Sequence, residues 1–179
     1  MFEGLRRTIG LQIARFTFRD AKESVVSFTD AVSGAHRVLL IMPFNHFEFL
    51  PTVRVIETIK KRIREEHITV ITDELGVEAV RMLPRSQFIR VVVSDLNAFY
   101  LPHPSIIRRV KEKAYDLAVD LNLDLVLPSA YICKASNARV RIGFTRKRAE
   151  AFYNFQIQPD LTLGKQLIYD RLAQCLQMF

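Results

Sequence analysis

The residues that could do chemistry lie in three short stretches of the chain. The first is PFNHFEFL at residues 43–50, a loop with Asn45, His46 and Glu48 that directly follows an apolar run. A histidine and a glutamate at the carboxyl end of a strand could act as acid and base. The same residues also suit an exposed turn, and one loop without a second converging element does not decide between these interpretations.

The second stretch follows another apolar run and holds Asp120, Asn122 and Asp124. Open α/β sheets bind ligands in the crevice at the carboxyl ends of their strands, where the strand order reverses. If the two apolar runs are the strands that flank this point, Asn45 and Asp120 face each other across the crevice. A pair of acidic residues there would suit sugar hydroxyls. The alternative is an aspartate that caps the following helix.

The third stretch is a group of basic residues around Gly143. Arginines beside a crevice suit a phosphate or a carboxylate, which they can bind with two hydrogen bonds. A generic basic loop is an equally good interpretation of the same residues. The group consists of Arg139, Arg141, Arg146, Lys147 and Arg148.

The elements that would position these residues alternate along the chain. Apolar runs predict strands at 38–42, 68–72, 89–93, 115–121 and 140–144, with an extended segment at 152–157. Helical periodicity predicts helices at 51–64, 74–83, 105–113 and 161–178, while Pro128 leaves 124–134 undecided. Alternation of this kind predicts one α/β domain at 37–179, Rossmann-like with a mostly parallel sheet.

The spacing of apolar residues also predicts which side chains of two helices are buried. The buried side of helix 51–64 is expected to hold Val53, Ile56, Ile59 and Ile63. The apolar face of the closing helix is expected to hold Leu163, Leu167, Ile168, Leu172, Cys175 and Leu176. Association with a second copy or a partner protein is expected through this closing helix or through the amino-terminal extension.

The extension, residues 1–36, contains a basic amphipathic pattern. Phe2, Leu5, Ile9, Ile13 and Phe16 follow helical spacing among four arginines. Such a helix suits an anionic membrane surface through residues 1–20. Its apolar face could instead pack on the domain or on a partner chain. There is no apolar core or cleavage site of a signal peptide here.

The composition limits the classes of protein to which this chain could belong. The chain has 179 residues, a net charge of +7 and two cysteines without CxxC spacing, Cys133 and Cys175. Free thiols predict a reducing, cytoplasmic setting. The positive charge is not accompanied by a nucleic-acid-binding motif, and this absence disfavours nucleic acid as a partner. The loop after the first strand has no glycine, which excludes a dinucleotide or P-loop motif there, and scattered histidines predict no metal. We therefore expect no cofactor.

Three segments resemble family 9 glycosyltransferases, the lipopolysaccharide heptosyltransferase family. LPTVRVIETIKKRI after the first strand is similar to the family's Leu-Pro-Ala-Leu-type helix start. AYDLAVDLNLDLVLPSAYICKASNARVRIGF is similar to its Tyr-Asp-apolar-Asp-x-Gln-Gly stretch and the Arg-x-Gly-Phe-type strand that follows. AFYNFQI is similar to its Phe-Tyr-Asn segment. The likeness runs from about residue 37 to 179.

The resemblance implies the amino-terminal, acceptor-holding half of a two-domain B-type glycosyltransferase, without the donor-binding half. The family's catalytic Asp falls on Asn45 and its preceding Gly on Phe44, and an amide cannot deprotonate an acceptor hydroxyl. Glu48 could substitute only if the loop were rebuilt. Near the fourth strand, Asp120 is retained, Asn122 replaces Gln and Leu123 replaces Gly.

The functional hypothesis is a heptosyltransferase-like acceptor-type domain that does not catalyse transfer alone and acts as a binding or scaffolding module. The alternative is a transferase subunit that a separate donor-domain chain completes, acting on a lipid-linked glycan at the inner membrane in lipopolysaccharide biosynthesis. A phosphorylated glycan is the expected ligand. The expected acceptor contacts are Asn45, His46, Asp120, Asn122 and Arg141.

Overall fold

The computed structural model describes residues 2–19, 27–45, 48–73 and 77–178. Within these ranges, six strands form one sheet in which every pairing is parallel. The strands are β1 (Val38–Ile41), β2 (Ile68–Thr72), β3 (Gln87–Arg90), β4 (Leu117–Asp120), β5 (Val140–Phe144) and β6 (Phe155–Ile157). Their order is β3-β2-β1-β4-β5-β6, and it reverses between β1 and β4. The predicted Rossmann-like fold is confirmed.

Helices cover both faces of the sheet. They are α1 (Glu3–Thr17), α2 (Phe28–Ser33), α3 (Phe49–Arg62), α4 (Val77–Met82), α5 (Pro104–Lys111), α6 (Leu127–Ala135) and α7 (Lys165–Gln177). Successive residues of a strand point to opposite faces. Val38 and Leu40 of β1 therefore share a core with α3 and α7, while Leu39 and Ile41 share another with α5 and α6. The central strands are buried on both sides, as their apolar sequences predict.

Side-chain hydrogen bonds explain where two strands depart from the predicted boundaries. β4 begins at Leu117, two residues later than expected, because the Asp116 carboxylate accepts the backbone N–H groups of His36 and Arg37 at 2.9 and 3.0 Å. β3 ends at Arg90 rather than at residue 93, because the Asp95 carboxylate accepts the Val92 N–H at 3.0 Å and turns the chain.

The helices also correct several predictions. Pro128 lies in the first turn of α6, where its missing N–H costs nothing, so 127–135 is helical. On α3 it is Val55, not Val53, that is fully buried. Leu167 of α7 is 52% exposed. The predicted burial of Ile168, Leu172 and Leu176 is confirmed, and Tyr169 and Ala173 complete the buried face of α7.

Helix α1 packs on the domain through its small residues, not through its apolar stripe. Gly10 and Ala14 are buried, and Ala14 belongs to the core shared with α5 and α6. Gly10 lies so close to the loop after β3 that a Cβ there would overlap the carbonyl oxygen of Phe99. The predicted stripe, Phe2, Leu5, Ile9, Ile13 and Phe16, is exposed. The expectation that this stripe packs on the domain was therefore wrong.

Helix α2 packs on the other core through Val32, so α1 and α2 both contribute to the domain. Cys133 and Cys175 are both free, the first buried and the second half-buried. No helix in the described part of the chain has the length and apolarity needed to cross a bilayer.

The close approach at Gly10 gives a first prediction. Gly10→Ala should destabilise the packed α1 by about 1–3 kcal/mol, because the backbone of the Phe99 loop has to move. Trypsin should then cleave at Arg6, Arg7 or Arg15 faster than in the parent chain. Gly4→Ala is the matched control, since nothing lies within 4 Å of its added Cβ. Equal cleavage rates for the two variants would contradict the packing described.

Candidate functional site

Asn122 joins the loops that follow the two central strands. Its side-chain oxygen accepts the Phe44 N–H at 2.9 Å, and its Nδ2 donates to the Met42 carbonyl at 3.3 Å. The same Nδ2 donates to Asp120 Oδ1 at 2.7 Å. Asn122 is buried, so its amide is enclosed between β1 and β4 at the point where the strand order reverses. It fixes the position of the loop predicted to hold the chemistry.

Asp120 lies beneath Asn122 and is 0% exposed. Oδ1 accepts both the backbone N–H of Asn122 at 3.0 Å and its side-chain amide, while Oδ2 accepts the Tyr153 hydroxyl at 2.7 Å. Burial raises the pKa of Asp120 above the usual range, although these donors favour the charged form. Both oxygens are engaged inside the protein. Asp120 therefore does not face Asn45 across an open crevice.

Tyr153 is a site residue that the sequence reasoning did not single out. Its ring lies over Gly143 of β5, where a Cβ would come within 2.6 Å of the ring carbons. The only signal was its place in AFYNFQI, since no local pattern pairs a tyrosine with an aspartate 33 residues earlier. Burial and the nearby Asp120 raise the pKa of Tyr153 well above its usual value. The hydroxyl thus keeps its proton and remains a donor.

The first loop divides into an exposed and a buried part. Asn45 is exposed, and its Nδ2 donates to Glu48 Oε1 at 3.4 Å. Glu48 is buried and accepts a charged hydrogen bond of 2.8 Å from Lys165 at the start of α7. His46 lies outside the described residues. Because Glu48 Oε1 already accepts from Lys165 at the start of α7, this carboxylate ties the loop to that helix and is not an open base.

Arg141 is buried within the carboxyl-terminal part of the sheet. Its Nε donates to the Phe152 carbonyl at 3.1 Å, and a terminal nitrogen donates to the Ala138 carbonyl at 2.7 Å. Its backbone N–H donates to the Asn154 side chain at 2.7 Å. These bonds join β5 to the segments on either side of it. Arg141 remains predicted as an acceptor contact, but this geometry gives its guanidinium a structural role.

The rest of the basic group spreads over the surface. Arg146 donates to the Asp124 carboxylate at 3.5 Å and to the Thr145 carbonyl at 2.8 Å. Arg139 and Lys147 are exposed. The structure thus brings Asp124 and Arg146 together but does not gather the five basic residues into one anion site. Among the described residues, no three side chains of His, Cys, Asp or Glu converge as a metal ion would require.

A cavity of about 440 Å³ lies where α1 passes over the loops after β3 and β4. The Arg7 guanidinium lies 5.2 Å from the centre of the Tyr100 ring, close enough for a cation–π contact. Within the described part of the chain, the cavity is lined by Arg7, Thr8, Leu11, Tyr100, Asp124, Leu125, Val126, Leu127 and Pro128. The sequence did not point to this site, since α1 and Tyr100 are far apart in the chain. An aromatic ring, a cation and a carboxylate around an apolar floor suit a sugar that bears a charged group.

Comparison with solved structures places this fold among known ones. The crystal structure of the glycosyl transferase family 9 protein from Veillonella parvula DSM 2008 matches with a TM-score of 0.59 and 18% identity. The match covers 79% of this chain and 41% of that chain. The chain therefore has a fold found in that glycosyl transferase and spans less than half of its length. No protein-family model and no curated protein matches this chain.

The hydrogen bond beneath the site can be measured directly. Tyr153→Phe should lower the free energy of unfolding by about 1.5–3 kcal/mol, because it removes a donor from a buried carboxylate. In an Asp120→Asn background the same change should cost less, which a double-mutant cycle in denaturant would reveal. Tyr131→Phe is the control, since burial raises the pKa of this half-buried tyrosine too but its hydroxyl bonds to no described residue. Additive losses would contradict the bond.

The raised pKa of Asp120 predicts a dependence on pH. The folded chain holds this proton more tightly than the unfolded chain, whose aspartates titrate near pH 3.9, so that part of the stability is present below about pH 4. It is lost as the pH rises through the folded-state pKa. The stability of the parent chain minus that of Asp120→Asn should therefore fall as the pH rises above about 4. A flat or rising difference in urea unfolding would contradict this sign.

Proposed function

We propose that this chain is a glycosyltransferase-family-9-like, heptosyltransferase-like domain of the acceptor-holding kind. In this proposal it binds a glycan and does not catalyse glycosyl transfer by itself. The shared fold supports a relationship to the family 9 glycosyl transferase structure. Since many functions use one fold, the argument for a binding role rests on the residues of the site.

The observation that carries the proposal is the amide at Asn45. The resemblance aligns this residue with the aspartate that takes the proton from the acceptor hydroxyl. An amide has no proton affinity in the neutral range, so it cannot serve as that base. Asn45 is exposed at the carboxyl edge of the sheet, where it could still contact a bound sugar.

The neighbouring carboxylates support the same conclusion. Asp120 is enclosed by Asn122 and Tyr153, and Glu48 is paired with Lys165. A base within hydrogen-bond reach of a substrate would require at least one of them to change partners. The arrangement supports a stable scaffold around the crevice.

The cavity beside Tyr100 is the proposed place for the glycan. Arg7 presents a guanidinium suited to a phosphate group, and Asp124 presents an exposed carboxylate suited to sugar hydroxyls. The Tyr100 ring and the apolar side chains of the floor would pack against the sugar ring. This chemistry favours a phosphorylated glycan, including one linked to a lipid.

A second candidate is a transferase subunit that works with a separate donor-domain chain. The Glu48 carboxylate, which lies 3.4 Å from the Asn45 amide in the same loop, supports this candidate. In this case the active site would form between the two chains, and the base would come from Glu48 or from the partner.

Titration calorimetry with a phosphorylated oligosaccharide released from lipopolysaccharide tests the proposed site. The chain should bind it, and Arg7→Gln should weaken binding roughly tenfold or more, because a charged hydrogen bond to phosphate is lost. Arg64→Gln is the matched control, since Arg64 is exposed and lies shortly before β2, at the amino ends of the strands rather than at their carboxyl ends.

The same samples should be incubated with nucleotide-sugar donors. Transfer by the isolated chain would overturn the non-catalytic proposal, and transfer only after addition of a donor-domain protein would favour the second candidate. Absent binding, or equal weakening by both arginine substitutions, would overturn the cavity as the glycan site.

A further inference from the structure

Helix α1 displays an apolar stripe that the protein itself leaves uncovered. Its five residues follow the i, i+3, i+4 spacing of one helical face. The exposed fractions are 74% for Phe2, 56% for Leu5, 38% for Ile9, 39% for Ile13 and 70% for Phe16. At about 100° per residue, the centre of this face is turned by roughly 100° from Gly10 and by roughly 140° from Ala14, the residues that pack on the domain. The stripe is therefore held outward on a fixed platform.

Arginines border the stripe on both sides. On the helical wheel, Arg6 lies next to Phe2 and Ile13, while Arg15 lies on the other side of the stripe, beyond Leu5 and Gln12. The Arg19 guanidinium stacks on the Phe16 ring at 5.0 Å. The helix contains one acidic residue, Glu3, and it pairs with Arg7 at 3.2 Å. The charged residue nearest to the stripe is thus an arginine on each side.

We infer that this stripe docks the protein on an anionic lipid surface. A helix with an apolar face and basic borders lies in the plane of the membrane interface, with its apolar side chains among the acyl chains and its arginines at the headgroups. The long arginine side chains can reach phosphate while their stems cover apolar surface. The buried residues Gly10 and Ala14, on a different face, keep the helix attached to the domain during this contact.

Charge selects the lipid surface over a second copy as the occupant. Pairing two such helices would bring their arginine borders together, with one glutamate per helix to offset four arginines between residues 2 and 19. Like charges placed against each other at an interface are unfavourable. An anionic membrane reverses the sign of this term, since each arginine near its surface then adds to binding.

The absence of tryptophan from the chain allows a direct test. Phe16→Trp places a single reporter on the stripe, and its emission should shift to shorter wavelength with vesicles of phosphatidylglycerol and phosphatidylcholine. Pure phosphatidylcholine should give binding weaker by roughly fivefold or more for each arginine engaged. Val93→Trp is the matched control, because Val93 is 84% exposed on another part of the surface.

Flotation of the full chain with the same vesicles separates the two terms. The double variant Phe2→Ser/Leu5→Ser should lose roughly tenfold or more in binding, and Arg6→Gln/Arg15→Gln should lose its preference for anionic lipid. Leu161→Ser/Met178→Ser, also exposed, should bind like the parent chain. Unchanged thermal unfolding of each variant would show that the domain remains folded.

Three results would overturn the inference. They are no flotation of the parent chain with anionic vesicles, equal losses in the stripe variant and its control, or a dimer that the stripe variant dissociates while vesicles bind neither protein. The last result would assign the stripe to a second copy. None of these outcomes bears on glycan binding, which Arg7→Gln tests in the absence of lipid.

Discussion

The amide of Asn122 is the constraint on which the carboxyl edge of this sheet depends. Its oxygen accepts the Phe44 N–H in the loop after β1, and its Nδ2 donates to the Met42 carbonyl and to Asp120 of β4. A buried polar group of this kind is stable only when each of its atoms has a partner. Asp120 meets this condition because Tyr153 satisfies its other oxygen. Tyr153 in turn fits because Gly143 has no side chain. The chain of contacts therefore crosses β1, β4 and β5 and reaches the segment before β6.

The sequence predicted the sheet well, because central parallel strands are apolar on both faces and short. It placed β5 at residues 140–144, as observed, and identified the crevice between β1 and β4. It did not predict features that depend on contacts between residues far apart in the sequence. The charged bond between Glu48 and Lys165 joins residues 117 positions apart, and no local pattern signals it. The same is true of the Asp116 and Asp95 carboxylates, whose backbone partners moved the ends of β4 and β3.

The three predicted groups of polar residues therefore acquire different meanings. The aspartate predicted to bind sugar hydroxyls is enclosed, and the arginine predicted as an acceptor contact ties β5 to its neighbours. Residue type alone could not separate these roles from binding roles, because the same carboxylate or guanidinium suits either. Burial decides between them. Asn45 and Asp124 are exposed there, and Asp124 lines a cavity whose aromatic ring and cation come from elements that are remote in sequence.

Helix α1 connects that cavity to the surface of the molecule. Arg7 and Leu11 line the cavity, Gly10 and Ala14 pack on the domain, and Ile9 and Ile13 point away from it. One helix can face the cavity, the domain and the outside of the molecule at once. An α-helix has 3.6 residues per turn, so its successive side chains point in different directions around the axis. Because Gly10 has no side chain, the helix lies close enough to the Phe99 loop for Arg7 to reach Tyr100. A lipid surface bound by the outer stripe would then lie one helix diameter, about 10 Å, from the cavity. At that distance, a glycan attached to a lipid could enter the cavity while its acyl chains stayed in the membrane.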